Sequence, residues 1–326
     1  MEIKLLVSVI VITYNSEAFV LETLESIKRQ TYRNLELIVS DDCSTDNTVS
    51  LVEEWLKKNE ARFSRVRIVT SRVNTGITPN MNRGILAASG EYIKLIAGDD
   101  ILIETCIEKM VGFCTSNNLE FAYARVTTFS NAKEEASLDR SRILSENLNH
   151  EIFDFTREKQ YRRILSGFRM YAIGLFMRKD FITRMGLFNE KYGMMEDYPF
   201  VLKAVSKGYK LELLNEVLAK YRVRSPAETK RILNTRRKSE HTSDLERFEK
   251  EELIPRMKKE KMYIALYNTY VRRLERRIVN SSDNILLQRF GKLVGYLSVS
   301  KIIGRAKMIW FRFTLIPSEN RHSQQM

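Results

Sequence analysis

Two apolar runs of the 326-residue chain end in adjacent aspartates: LELIVSDD delivers Asp41 and Asp42, and YIKLIAGDD delivers Asp99 and Asp100. A third acid pair, Glu196-Asp197 in MMEDYPFVLKAV, stands just ahead of a helical pattern. Eleven aspartates scattered at random would rarely supply two adjacent pairs at equivalent places. Each pair has a simpler use, because Asp is favoured as a helix N-cap. A cap needs only one acid, however, and two anionic clusters on one sheet edge repel unless a cation or a donor-rich ligand is present. A hard divalent metal with oxygen ligands would resolve that conflict.

Strands are needed to hold such carboxylates in place, and the sequence supplies them at regular intervals. Val7 to Ile12, Leu35 to Val39, Val66 to Val69 and Tyr92 to Ile96 are rich in β-branched residues and end in small or polar ones, as buried parallel strands do. Residues 17–30 place Val20, Leu24 and Ile27 on one helical face, and residues 45–58 place Val49, Val52 and Leu56 on another. Thr78-Pro79 reads as an N-cap followed by proline in the first turn. This alternation predicts an α/β sheet with right-handed crossovers and ligands beyond the strands' carboxyl ends. Ile101 to Cys114 reads as a further helix, 130–160 as a long loop over the site, Phe200 to Val205 as helical, and Leu211 to Leu214 as a short strand.

Composition narrows the class. At 44% apolar residues, collagen-like, mucin-like and wholly disordered readings are excluded. Cys43, Cys106 and Cys114 make neither a disulfide framework nor a zinc cluster, so a reducing compartment, the cytosol, is the simplest expectation. The opening MEIKLLVSVIVITYN is too short for a signal peptide, and no 18 uncharged apolar residues follow one another, so a soluble or peripheral protein is expected. The net charge of +13 is uneven: residues 1–225 carry 32 basic and 30 acidic side chains, whereas 226–326 carry 22 and 11.

Taken in order, VSVIVITYN, QTYRNLELIVSDDCSTDNT, NTG with NRGILAASGEYI, GDD and MED make residues 5–225 resemble the family 2 glycosyltransferases. The resemblance implies the GT-A fold, a Rossmann-like, mostly parallel sheet flanked by helices, and an inverting sugar transfer. It implies that Thr13, Tyr14, Asn15 and Asp41 recognise the uridine of a UDP-sugar, with a ring face from Tyr14 and an acceptor for the uracil N–H from Asp41. Asn74 and Gly76 shape the next strand-end loop, as nucleotide contacts or as an ordinary turn. Asp99 would ligate Mn²⁺ or Mg²⁺ on the donor diphosphate, where UDP gains charge as it departs. Asp100 would assist through the donor sugar or a metal-bound water. Asp197 would be the general base for the acceptor hydroxyl, kept ionised by a helix N-terminus, with Glu196 orienting the acceptor.

Two positions depart from the family pattern. Ala97 stands where an acid is usual, and Arg224, in Tyr221-Arg222-Val223-Arg224, lies where many relatives have a nearby histidine. Arg224 would either meet the diphosphate bidentately or be solvated. The expected domains are a glycosyltransferase domain at 1–225, with a nucleotide half near 1–100 and an acceptor half near 101–225, and a basic, mainly helical region at 226–326. From Asp283 to Glu319 no acid intervenes, while Arg289, Lys292, Lys301, Arg305, Lys307 and Arg312 interleave with Tyr296, Trp310, Phe311 and Phe313. That pattern suits contact with an anionic membrane surface, or packing on the catalytic body; no nucleic-acid module accompanies it.

The expectation is an inverting transferase on the inner membrane face. It would move a sugar from a UDP-sugar to a saccharide linked to undecaprenyl diphosphate, in bacterial O-antigen or capsule synthesis. Its rivals are a nucleotide-sugar-binding module without turnover and a sugar nucleotidyltransferase; Asn15-Ser16-Glu17-Ala18 lacks the Gly-rich loop the latter needs.

Overall fold

Four β-branched runs become neighbouring parallel strands: β1 (Val7–Thr13), β2 (Leu35–Asp41), β3 (Arg65–Thr70) and β4 (Tyr92–Ala97). The computed structural model describes residues 5–130, 151–167, 170–223, 235–280, 290 and 293–294. β2 is buried throughout and β1 nearly so, as strands covered on both faces must be, whereas β3 lies at the sheet edge and carries Arg65 and Arg67 outward. Helices α1 (Val20–Lys28), α2 (Thr48–Asn59) and α3 (Ile77–Ala87) make the crossovers. The strand order β3-β2-β1-β4 reverses its direction of growth between β1 and β4. A crevice opens at such a reversal. Its rim is aligned by register, with Thr13 opposite Asp41, Asp41 opposite Thr70, and Ile12 opposite Ala97.

Beyond β4 the sheet is mixed. β5 (Ile101–Leu102), α4 (Cys106–Ser116), β6 (Phe121–Phe129), α5 (Glu151–Asp154), α6 (Arg157–Leu165), β7 (Leu175–Arg178), α7 (Lys179–Arg184), α8 (Asp197–Ser206) and β8 (Glu212–Arg222) follow in sequence. β7 runs antiparallel to β4 and β6, β6 pairs parallel with β8, and β5 pairs antiparallel with β8. Buried Lys94 of β4 ties this half to the first: its ammonium donates to the carbonyls of Ile173 and Leu175, and burial lowers its pKa.

Four local expectations change, each because a long-range bond outweighs local spacing. Ile101 and Leu102 pair with Lys220 and Ala219, so the helix expected from Ile101 starts at Cys106. The strand expected at Leu211 to Leu214 runs on to Arg222 along β6. Of the loop expected at 130–160, residues 151–160 instead enter helices α5 and α6, because buried Gln160 donates to the Ile152 and Leu211 carbonyls and accepts from the Leu211 N–H; residues 131–150 lie outside the described residues. Thr78 does not cap α3. That helix begins at Ile77 behind Gly76, whose φ of +96° suits glycine, and the Thr78 hydroxyl reaches Gly193 O at 3.0 Å.

The chain divides into two compact units, Met1–Leu245 and Glu246–Met326. In the second, helices Ile254–Lys259 and Tyr263–Asn280 follow buried Glu249, which accepts from Arg273 and Arg276. Among the described residues no helix is long and apolar enough to cross a membrane.

Candidate active site at the strand ends

Asp41 closes the first corner. It is buried, and its Oδ1 accepts from the Thr13 hydroxyl at 2.7 Å and the Ser44 hydroxyl at 2.6 Å, while Oδ2 accepts from the Ser44 N–H at 2.8 Å. The β1–α1 and β2–α2 loops are joined alongside it. Asn15, at φ +50°, takes the Thr45 N–H on Oδ1 at 2.8 Å and donates its own N–H to Ser44 Oγ at 2.9 Å; Glu17 accepts both nitrogens of Asn47. Asn and Asp tolerate the left-handed region, which lets Asn15 turn its side chain across to the neighbouring loop. Tyr14 stays half-exposed beside it.

Asp42 does something different. Its Oδ2 accepts from the N–H groups of Thr75 at 2.9 Å and Gly76 at 2.7 Å, and Oδ1 from the Thr75 hydroxyl at 2.6 Å and Arg83 at 3.2 Å. The second acid of the pair therefore builds the loop that holds Asn74 and Gly76. Asn74 Oδ1 accepts from the Gly76 N–H at 3.2 Å, so its turn role is present in the fold. Arg83 completes the loop by donating to Asn80 Oδ1 at 2.8 Å and the Thr75 hydroxyl at 2.8 Å.

At the end of β4, Gly98 packs so closely that an added Cβ would stand 2.9 Å from Thr13 Cγ2, which brings the second acid pair against the first strand. Asp99 is half-buried and Asp100 buried. Asp100 Oδ1 accepts from the Arg222 N–H at 2.9 Å, its carbonyl from the Thr23 hydroxyl at 2.8 Å, and the Asp99 carbonyl from Arg222 Nε at 2.7 Å. Arg222, only 5% exposed, also pairs with Glu22 and lies over the rings of Phe19 at 4.6 Å and Phe129 at 4.3 Å. One arginine thus fixes the corner from the end of β8.

The third pair meets the site from α8. Glu196 is the residue before the helix and makes no side-chain cap; Asp197 is its first residue, and Asp197 Oδ1 accepts from the Tyr198 N–H at 2.6 Å. Desolvation raises the pKa of Glu196 above the ordinary carboxylate range. The loop before the pair is docked on α3: Asn82 donates to Phe188 O at 2.9 Å and accepts from the Phe188 N–H at 3.1 Å, and Thr78 holds Gly193. Asp244 secures the Met194 N–H at 3.0 Å. The clusters share neighbours. Burial raises the pKa of the Tyr221 hydroxyl, and Asp100, Asp99, Tyr171 and Glu196 add to it; Asp197 contributes in the same way at Tyr123.

Thr13, Tyr14, Asn15, Asp41, Asn74 and Gly76 thus gather on the β1–β3 rim, Asp99 and Asp100 stand at the end of β4 tied to Arg222, and Glu196 and Asp197 stand at the start of α8. Arg224 lies outside the described residues. Simple capping accounts for neither aspartate pair, since α2 starts at Thr48 and α4 at Cys106. The sequence gives no site role to Asp42, Arg83, Asn82 or Arg222, and reads Thr78 only as a helix cap. Asp42 stood in the quoted pair and Arg83 in the NRG segment, whereas Arg222 had no local signal.

Among the described residues no three His, Cys, Asp or Glu side chains converge as a metal cage. A half-exposed Asp99 beside a buried, already bonded Asp100 fits a hard cation that takes one carboxylate and completes its shell with phosphate oxygens and water.

The arrangement defines a GT-A fold, which it shares with solved structures. S. aureus TarS in complex with UDP-GlcNAc aligns at TM-score 0.52 and 16% identity, over 89% of this chain and 88% of that one. A mannosyltransferase from Pyrobaculum calidifontis, in complex with GDP-Man and Mn²⁺, aligns at TM-score 0.53 and 16% identity, over 94% and 87%. The chain belongs to glycosyl transferase family 2, whose model matches residues 8–184. An uncharacterized glycosyltransferase of Haemophilus influenzae is 41% identical over 35% of this chain and 34% of its own length. EpsJ of Bacillus subtilis, also an uncharacterized glycosyltransferase, is 27% identical over 67% and 61%. The Escherichia coli beta-1,3-glucosyltransferase WfgD, named for UDP-Glc and GlcNAc-diphosphoundecaprenol, is 33% identical over 39% and 47%. The chain therefore spans between a third and about three fifths of these relatives.

Proposed function

We propose that this protein is an inverting glycosyltransferase that moves a sugar from a UDP-sugar to a hydroxyl of a lipid-linked saccharide during surface-polysaccharide synthesis. The observation that carries the reading is the Asp99-Asp100 corner at the end of β4, packed against Thr13 beside the Asp41 loop and fixed by Arg222 from β8. Thr13, Tyr14, Asn15, Asp41, Asn74 and Gly76 would hold the uridine at the first rim. Asp99 would hold the diphosphate side through Mn²⁺ or Mg²⁺, as the donor set allows, with Asp100 supporting that corner and Arg224 meeting the diphosphate. When bound, that cation offsets the negative charge gained by departing UDP. Asp197, aimed by the Tyr198 N–H, would take the acceptor's proton as its oxygen attacks the anomeric carbon opposite UDP. Glu196 would orient the acceptor.

WfgD supports a diphosphoundecaprenol-linked acceptor, and the UDP-GlcNAc complex of TarS supports a uridine donor. We assign catalysis to 1–225 and membrane contact to the basic region 226–326, at the cytoplasmic face. Vesicle sedimentation of the full chain should then be salt-sensitive and weaker on neutral than on anionic lipid; equal binding to both overturns the membrane assignment. A screen of UDP-sugars for metal-dependent protection against thermal unfolding tests the donor assignment. Protection by at least one UDP-sugar, lost with chelator, is the expected result, and protection by none overturns it.

A further inference from the structure

Tyr171 and Tyr221 are half-buried, and their ring centroids lie 5.2 Å apart at an interplanar angle of 42°. Tyr171 lies in no motif quoted above, and Tyr221 enters only as the first residue of Tyr221-Arg222-Val223-Arg224, with no role of its own. Tyr221 precedes Arg222 on β8, and successive strand residues point to opposite faces. Arg222 turns toward Glu22, Phe19 and Phe129, so Tyr221 turns the other way, onto Tyr171. The backbone it stands on is tied to the Asp99-Asp100 corner by the next residue's N–H.

Tyr171 is set by buried groups. Its N–H donates to the Tyr123 hydroxyl at 3.4 Å, and the short turn Ala172–Gly174 follows directly. A Cβ at Gly174 would lie 2.3 Å from the Tyr123 ring, so only glycine lets that turn close on it. Lys94 holds the same turn through Ile173 O. The pair is therefore a fixed aromatic surface in the field of Asp100, Asp99 and Glu196, and desolvation keeps the Tyr221 phenol neutral.

We propose that Tyr171 and Tyr221 form a sugar-binding wall, which seats one pyranose ring between the Asp99-Asp100 corner and the Glu196-Asp197 pair. The chemistry suits that ligand class: a pyranose presents an apolar C–H face to an aromatic ring and a rim of hydroxyls to a phenol. Neutral phenols can hydrogen-bond those hydroxyls without adding charge beside two anionic clusters. The assignment rests on the transferase reading, and the pyranose belongs either to the donor or to the acceptor.

The test uses the full chain with Tyr171→Ala, Tyr221→Ala and the corresponding Phe variants. Calorimetry measures UDP, UDP-glucose and UDP-N-acetylglucosamine; transfer kinetics measure KM for a prenyl-diphosphate-linked N-acetylglucosamine. A donor wall predicts that the alanine variants weaken a UDP-sugar about three- to tenfold while leaving UDP unchanged. An acceptor wall predicts the same factor in acceptor KM alone. In either case Phe should recover most of the loss. Tyr221→Leu, which keeps apolar bulk without an aromatic face, provides the same comparison should the alanine variants fail to fold. Equal weakening of UDP and both UDP-sugars, or no change in any arm, overturns the wall. Wild-type protein that binds none of the three nucleotides overturns the transferase reading and the wall together.

Discussion

The two aspartate pairs occupy matching strand ends and are held in opposite ways. Asp41 and Asp42 are satisfied by loops near them in sequence or one crossover away: Thr13, Ser44, Thr75, Gly76 and Arg83. Asp99 and Asp100 are held from the far end of the unit, by a residue more than 120 positions later. The first corner is a self-contained cradle. The second depends on β8, three strands away from β4 in the sheet, so on the proposed assignment the donor diphosphate side would depend on the integrity of β8. A carboxylate that accepts several backbone N–H groups is preorganised, whereas the Asp99 side chain is half-exposed.

The largest effect should come from Asp197, which neither corner holds. Asp197→Asn removes the proposed base and should cut transfer by roughly 10²- to 10⁴-fold, with UDP binding unchanged by calorimetry. Next is the cradle itself. Asp42→Ala leaves the Thr75 and Gly76 N–H groups and Arg83 without their shared acceptor and should cost about 3 kcal/mol in denaturant unfolding, with a parallel loss of UDP affinity. Should UDP affinity hold, the cradle is not the nucleotide site.

Arg222→Met sharpens the contrast from the other side. It should cost about 2 kcal/mol, since it leaves Glu22 and the Asp99 carbonyl without their partner. The metal concentration for half-maximal turnover should rise while UDP affinity in the absence of metal stays put. A smaller change is expected from Thr13→Val, which removes one of two donors to Asp41 Oδ1 and should cost about 1 kcal/mol. The smallest effect concerns Glu196. Burial raises its carboxyl above the ordinary 4.5, so above that pH the unfolded chain has lost a proton that the folded chain still holds. Stability then falls as pH rises toward the folded value. The Tm of Glu196→Gln relative to wild type should therefore increase across that window, and a flat difference would mean that the carboxyl is not desolvated.

What the sequence disclosed follows the same division. The first four strands and the rim they carry were legible because each βα unit is local: an apolar run, a polar turn and a helical face fall within about 30 residues. The acid pairs stood out by adjacency. Arg222 was not legible, since nothing in Tyr221-Arg222-Val223-Arg224 says which arginine turns inward; that choice depends on the pleat of β8 and its pairing with β6. Thr78 looked like a cap by type and spacing, yet the neighbouring loop at Gly193 supplied a better partner. Gln160 likewise turned an apparent loop into helix through bonds to Leu211, 51 positions away.

If the proposed function holds, Asp99 and Asp197 act on opposite sides of one sugar-transfer step. The most direct measurement is release of UDP from a protecting UDP-sugar, with acceptor present, by wild type, Asp99→Ala and Asp197→Asn, with binding of UDP followed in the same samples. Turnover should be lost in both variants, UDP binding retained in both, and metal-dependent protection lost only in Asp99→Ala. Full turnover in either variant would contradict it.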